Sequence, residues 1–303
     1  TFFMENSPAA QQVSAQSLRR YPGNMVALYL SGYLERQETH IDRALEYFGQ
    51  ASEHAKDIRQ FRTACLYEQA DCHWRLCNWP KAVHFFKEFH NNNVSKSYRC
   101  FGAYQQGVAL CFMGDDAAAR ECFKLSAKWA RRYFSFDAYA ARKSSEFLKS
   151  KGECMSEAEK TLVESNCLRR QGRMEESIAM LQSLCGRLEK SESKADTEAL
   201  ACGLYQLGRA LRGVGETAEA ERQFRACISL GKAVTKERYA IPHSMLEIGM
   251  IRLAAREYAE AVEVLQAAKK YSSYDFDKPN IRRIMRCLDR AHEMKEQSEA
   301  RPP

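Results

Sequence analysis

The chain has 303 residues, of which 45% are hydrophobic and 28% charged, and its mean hydropathy is −0.53. With only 15 Gly and 7 Pro, this excludes a disordered, collagen-like or linker-like polypeptide, and the greasiest stretch, ten residues at 25–34, is too short and too interrupted by Ser31 and Gly32 to span a bilayer. Lys and Arg total 46 against 39 acidic residues, a net charge of +7 that is too mild and too dispersed for a dedicated nucleic-acid domain, so no nucleic-acid partner is expected.

The opening TFFMENSP has neither the basic n-region nor the cleavage pattern of a secretory signal. It also lacks an initiator Met, so a fragment of a longer protein is expected. Residues 1–17 read as the remnant of a preceding segment. Twelve cysteines are scattered singly through apolar helical patterns, the spacing of free thiols in a reducing compartment rather than of a disulfide framework, and a cytoplasmic location is expected.

From residue 18 onward a two-helix unit recurs. Its first helix carries a small residue, its second carries another small residue twelve positions later, and a bulky apolar residue follows after four more. Gly32, Ala44 and Phe48 form the first copy; Ala70, Ala82 and Phe86 the second; Gly107, Ala119 and Phe123 the third. A degenerate copy has Ser165, Ser177 and Leu181, and two further clear ones have Gly208, Ala220 and Phe224, then Gly249, Ala261 and Leu265. Small residues at these places let two helices approach closely while the bulky residue fills the gap to the next pair. The pattern resembles the tetratricopeptide repeat. It predicts an all-α, right-handed solenoid of about thirteen to fifteen helices, with five clear and one degenerate hairpin.

The chain-order reading is then three repeats over 18–132, an inserted helix over 133–152, three more repeats over 153–272, a capping helix over 278–297 and a tail at 298–303. The insertion is required because the second-helix positions step from 119 to 177, against steps of 37 to 43 elsewhere. Pro80 marks a first helical turn and Ser156 with Glu159 a capping box. Gly114, Gly172 and Gly215 fall where one helix hands over to its partner.

Several stretches carry more than a generic repeat: QFR…W…NW within 58–89, the SKSY helix start near 95–98, AARKS at 140–144 and YAIPHS…E at 239–247. In this order they resemble the carboxyl-terminal half of the tetratricopeptide repeat protein 39 family, related to fungal inclusion-body clearance proteins. The resemblance implies a non-enzymatic adaptor with links to lipid homeostasis and aggregate clearance. It also implies an amino-terminal half beyond this chain.

No phosphate-cradling GxGxxG or GxxxxGK[ST] occurs. Cys72, His73, Cys77 and His84 lack the CxxC or HxxxH spacing of a zinc site, and buried thiols such as Cys65 are poor nucleophiles. Neither an enzyme nor a cofactor or metal is expected. Two surfaces are candidates for partners. The first is a concave groove along the first helices, lined by Tyr29, Tyr33, Arg36, Tyr67, Asp71, Trp74, Tyr104, Arg169, Tyr205, Arg209 and Arg212, suited to a peptide or helix of another protein. The alternative for its tyrosines is packing between neighbouring repeats. The second is the basic, aromatic-rich segment 128–151, with Lys128, Arg131, Arg132, Arg142, Lys143, Lys149 and Lys151, suited to peripheral contact with an anionic membrane or lipid droplet. Its alternative is a solvated helix face.

Overall fold

The computed structural model describes residues 7–93, 95–131 and 133–299; within it every regular element is helical. Two compact units divide the chain, one running to residue 155 and including the turn 170–172, the other formed by the remainder. The first contains α1 (Ser7–Arg20), α2 (Met25–Gln37), α3 (Ile41–His54), α4 (Arg59–Arg75), α5 (Trp79–Asn92), α6 (Arg99–Phe112), α7 (Asp116–Trp129) and α8 (Ser135–Lys149). The second contains α9 (Glu157–Arg170), α10 (Met174–Leu188), α11 (Lys194–Gly213), α12 (Thr217–Ser229), α13 (Ala240–Ala254), α14 (Tyr258–Lys269) and α15 (Asp277–Glu299). Arg132, named above with the basic segment, and positions 1–6 and 300–303 lie outside the described residues.

Each unit stacks antiparallel helix hairpins, and the small-residue spacing explains why. Ala44, Ala82, Ala119, Ser177, Ala220 and Ala261 are all fully buried, as are Phe48, Phe86, Phe123, Leu181, Phe224 and Leu265. The ring lies directly on the small residue of the first helix. A Cβ placed on Gly107 would sit 2.5 Å from Phe123 Cε1, and one on Gly208 2.5 Å from Phe224 Cε1. Hydrogen is therefore the only substituent those two positions admit without displacing a ring that has no room to move.

One turn closes all six hairpins. The residue seven positions after each small residue takes the left-handed conformation: Thr39, Cys77, Gly114, Gly172, Gly215 and Arg256. The next amide then donates back to the carbonyl five residues earlier, as in Asn78 to His73, Asp115 to Leu110, Glu216 to Leu211 and Glu257 to Arg252. This is the Schellman arrangement, which satisfies carbonyls left open at a helix end. Glycine supplies the positive φ at three of the turns, and Thr39, Cys77 and Arg256 adopt it despite their side chains. The helix starts follow the local signals too. Pro80 sits in the first turn of α5, and Ser156 and Glu159 exchange reciprocal hydrogen bonds of 3.0 and 3.3 Å before α9.

Two elements differ from expectation in character. The segment read as a remnant folds into α1, whose Ser14 hydroxyl donates to the Ala27 carbonyl at 3.0 Å and meets Ser31 Oγ at 2.7 Å. Its sparse apolar pattern hides it, because a pair of serines rather than an apolar stripe seats it. The helix read as an insertion, α8, packs on both α6 and α7. Its fully buried Ser144 falls 37 residues after Gly107, the same step that separates Ala70 from Gly107. It thus occupies the place of a first helix that lacks a second. The closing helix α15 packs in the same way on α13 and α14 through Ile284, Leu288 and Ala291.

Replacing Gly107 with Val should lower stability by about 3 kcal/mol through overpacking against Phe123, whereas Gly49→Ala in α3, where an added Cβ meets nothing within 4 Å, should raise it by about 0.5–1 kcal/mol. Arg256→Gly, at an exposed left-handed position, should add about 1 kcal/mol. Urea unfolding of the three variants checks all of this, and a stabilising Gly107→Val would contradict the packing.

Candidate protein-interaction face

The first helices of the first unit, α2, α4 and α6, are joined by a polar ladder. Tyr29 lies edge-on to Phe48 and Phe61, with ring centroids 5.4 and 5.5 Å away, and its hydroxyl donates to Glu68 Oε1 at 2.8 Å. One repeat later Tyr67 packs edge-on to Phe86 and donates to Gln105 Oε1 at 3.0 Å. Tyr104, also buried, lies among Phe123, Tyr139 and Phe147. These rings therefore fill the spaces between successive repeats.

Arg36 is the centre of the ladder. Only 5% exposed, it ion-pairs with Glu68 and reaches Asp71 Oδ2 at 3.0 Å. Asp71 also accepts from Arg75 Nε at 2.8 Å and from Gln105 Nε2 at 3.0 Å. Burial alone would raise the Asp71 pKa, but the Arg75 and Arg36 cations outweigh it and hold the carboxyl well below the usual range. Burial pushes the Tyr29 and Tyr67 phenols up, reinforced by the neighbouring carboxylates. The remaining members are peripheral to the ladder: Tyr33, half-buried, lies under the Arg36 guanidinium at 5.2 Å, and Trp74, buried, meets Trp79 edge-on at 6.0 Å.

The second unit repeats the theme in the same phase. Arg212 on α11 pairs with Glu247 on α13, as Arg36 pairs with Glu68, both arginines lying four residues after the small residue and both acids two residues before the next one. Tyr205 is buried beside Phe224, with Arg209 over its ring at 5.7 Å. Arg169 turns to Asn166 Oδ1 at 2.9 Å, and Ser165 Oγ lies 3.3 Å from Gln206 Oε1. The acceptors Glu68, Gln105, Gln206 and Glu247 were missed in the sequence because each reads alone as an ordinary surface residue. Their signal is a shared phase, two positions ahead of the small residue.

What the ladder leaves exposed in the first unit is aromatic. Tyr98, in the left-handed conformation before α6, stacks on Tyr67 with a 4.6 Å centroid separation and remains 51% exposed. The loop between α7 and α8 adds Tyr133 and Phe134, and the first turn of α8 adds Phe136; they are 80%, 52% and 61% exposed. Phe136 meets Phe101 edge-on at 5.4 Å. Arg131 lies over Phe134 at 3.7 Å, and burial raises the Tyr98 phenol above its ordinary pKa.

The expected basic face is divided. Lys128, Lys149 and Lys151 are exposed, but Arg131 pairs with the buried Asp137 at 2.7 Å, Arg142 pairs with Glu146 at 3.2 Å, and Lys143 lies over the Phe147 ring at 5.0 Å. These three cations are half-buried: Arg131 is held from the loop before α8, and Arg142 and Lys143 find their partners along α8 itself. All twelve cysteines are free thiols, ten of them buried, and no described helix is long and apolar enough to cross a membrane.

Helix hairpins with a shared Schellman turn and a small-residue-to-ring contact define a protein of the tetratricopeptide-repeat class, whose general repeat is matched over residues 205–275. The chain belongs to the family described as Iml2/Tetratricopeptide repeat protein 39, matched over residues 4–198. A curated relative, the Caenorhabditis elegans tetratricopeptide repeat protein ttc-39B, is 21% identical over 270 residues, covering 85% of this chain and 46% of that one. The chain thus spans about half the length of the curated relative it matches. Among solved structures, the TPR2AB domain of yeast Sti1 in its pHSP90 complex is similar at 16% identity and a TM-score of 0.36, covering 88% of this chain and 98% of that one. Yeast Tom70 is similar at 14% identity and a TM-score of 0.33, with 91% and 66% covered.

Asp71→Asn should cost about 3–5 kcal/mol at neutral pH, since it leaves Arg36 and Arg75 partly uncompensated in a buried site. The folded Asp71 pKa is depressed, so its contribution is complete above the unfolded carboxyl value of about 4 and is lost as pH falls through the folded value. Urea unfolding at neutral and acid pH should show wild type losing this increment on acidification and the variant lacking it. An equal loss in both would remove Asp71 from that role.

Proposed function

We propose that the chain is a non-catalytic scaffold that binds a peptide or helical segment of another protein on the aromatic face of its first unit. The repeat class supports an interaction role, and the single observation that carries the site is Tyr98, half exposed and stacked on the buried Tyr67. A ring held in a strained backbone conformation over a rigid support is a preorganised anchor with little side-chain entropy left to lose. Tyr33, Phe101, Phe134 and Phe136 extend the contact, and Arg131 supplies a polar handle. On this reading Tyr29, Tyr67, Tyr104, Arg36 and Asp71 act as the floor that holds the surface, and Tyr205, Arg209 and Arg212 do the same within the second unit. Family membership supports placing the partner in lipid homeostasis or in aggregate clearance, and the twelve free thiols support a cytoplasmic setting.

A second reading, peripheral attachment to an anionic membrane or lipid droplet, is favoured by one observation. Tyr133, the most exposed large apolar side chain among the described residues, lies in the loop with Phe134 just before Phe136 on α8 and just after the solvent-facing Lys128, and aromatic tips beside cations suit the headgroup region.

The test is affinity capture with mass spectrometry, comparing wild type with Tyr98→Ala/Phe136→Ala and with Tyr133→Ser/Phe134→Ser after circular dichroism confirms that each is folded. The scaffold reading expects partners to be lost with the first variant, by about tenfold or more for an aromatic anchor. Unchanged partners in both would defeat it. Liposome flotation of the same proteins decides the second reading, which falls if anionic vesicles leave wild type in the pellet.

A further inference from the structure

The α6–α7 turn and the segment after α8 bring together three groups that are far apart in sequence. Cys111 lies in the last turn of α6, Asp116 opens α7, and Cys154 follows α8. Their two Sγ atoms and a carboxylate oxygen all lie within 4.8 Å of one another. Both thiols are only 3% exposed, and Asp116 is half-buried.

The loop carrying Cys154 is held in place independently. Arg120, one turn into α7, donates to the carbonyls of Ser150 and Gly152, both at 2.8 Å, and reaches that of Leu148 at 3.4 Å. The Cys154 amide donates to Asp116 Oδ1 at 3.0 Å, which orients the carboxylate, and Cys154 Sγ lies 3.9 Å from the Asp116 carbonyl oxygen.

We propose that Cys111, Cys154 and Asp116 bind one thiophilic divalent cation of the zinc class, with water as the fourth ligand. Metal–sulfur bonds of about 2.3 Å and metal–oxygen bonds of about 2.0 Å place tetrahedral ligand atoms roughly 3.5–3.8 Å apart, so closure needs a contraction of no more than about 1.3 Å. Two sulfurs exclude magnesium and calcium, which demand oxygen shells. Two thiolates and a carboxylate around a dication leave one negative charge, and the Arg120 guanidinium, bonded to the Gly152 carbonyl two residues before Cys154, is placed to offset it. Burial raises both thiols above their ordinary pKa, so each is protonated until the cation displaces its proton to solvent. Bound metal would fasten the end of α8 to the α6–α7 turn.

The probe is cobalt(II) alone, titrated into the full chain purified reduced and metal-free. The expected result is a thiolate-to-cobalt charge-transfer band that saturates at one equivalent and is displaced by zinc. Cys154→Ser, placed in a loop, should abolish it, Cys111→Ser likewise, and Asp116→Asn should weaken binding at least about tenfold. Cys122→Ser on α7 should leave the band unchanged, with circular dichroism confirming each fold. Absence of the band in wild type, its survival in both Cys111→Ser and Cys154→Ser, or its equal loss in Cys122→Ser would each overturn the proposal. So would a Cys111–Cys154 disulfide in the protein as isolated, seen as an intact mass two hydrogens light and located by peptide mapping, together with no metal uptake after reduction.

Discussion

The contact between a first-helix small residue and the ring that covers it is the constraint on which each unit depends. It sets how near two helices lie, and that nearness decides everything stacked above. With Phe123 on Gly107 and Phe224 on Gly208, the first helix of one repeat is presented to the next at a fixed height. At that height a tyrosine three residues earlier can reach across to the following repeat, as Tyr29 does to Glu68 and Tyr67 to Gln105. Arg36 could not be buried with two carboxylates unless these positions were already determined, because an ion pair out of water repays its desolvation only with good geometry. Packing thus comes first, and the polar ladder is a consequence that adds register.

This ordering explains the division of labour among the tyrosines. A ring whose hydroxyl is used by the next helix and whose faces are covered by its own hairpin has nothing left for a partner. Tyr98 differs because it lies outside the helix, on top of Tyr67 rather than beside it. Its backbone strain is tolerated only because the surroundings hold it, and strain of this sort gathers at places that must present a group in one orientation.

How much of this was legible in the sequence follows from the length scale of each feature. The hairpins were readable because a twelve-residue offset is dictated by helix period and turn length, which leave the same trace in every copy. The shared turn was readable at Gly114, Gly172 and Gly215, where the left-handed residue is glycine, and hidden at Thr39, Cys77 and Arg256. Asp71 and Arg36 were named as groove residues, yet their mutual pairing depends on two helices 35 residues apart being in contact. Segment 128–151 was read by its charge, but which cations face outward depends on the packing of α8. Cys111 and Cys154 are separated by 43 positions, and only the loop held by Arg120 brings them together.

The central functional claim is that partners engage the exposed aromatics of the first unit rather than the ladder beneath. Photo-crosslinking tests it most directly, with a photoreactive phenylalanine analogue in place of Tyr98 and, as a control, in place of the exposed Lys124 on the second helix α7. The account predicts discrete adducts with a partner protein from position 98 and none above background from position 124. Equal labelling at both, or labelling at 124 alone, would contradict it.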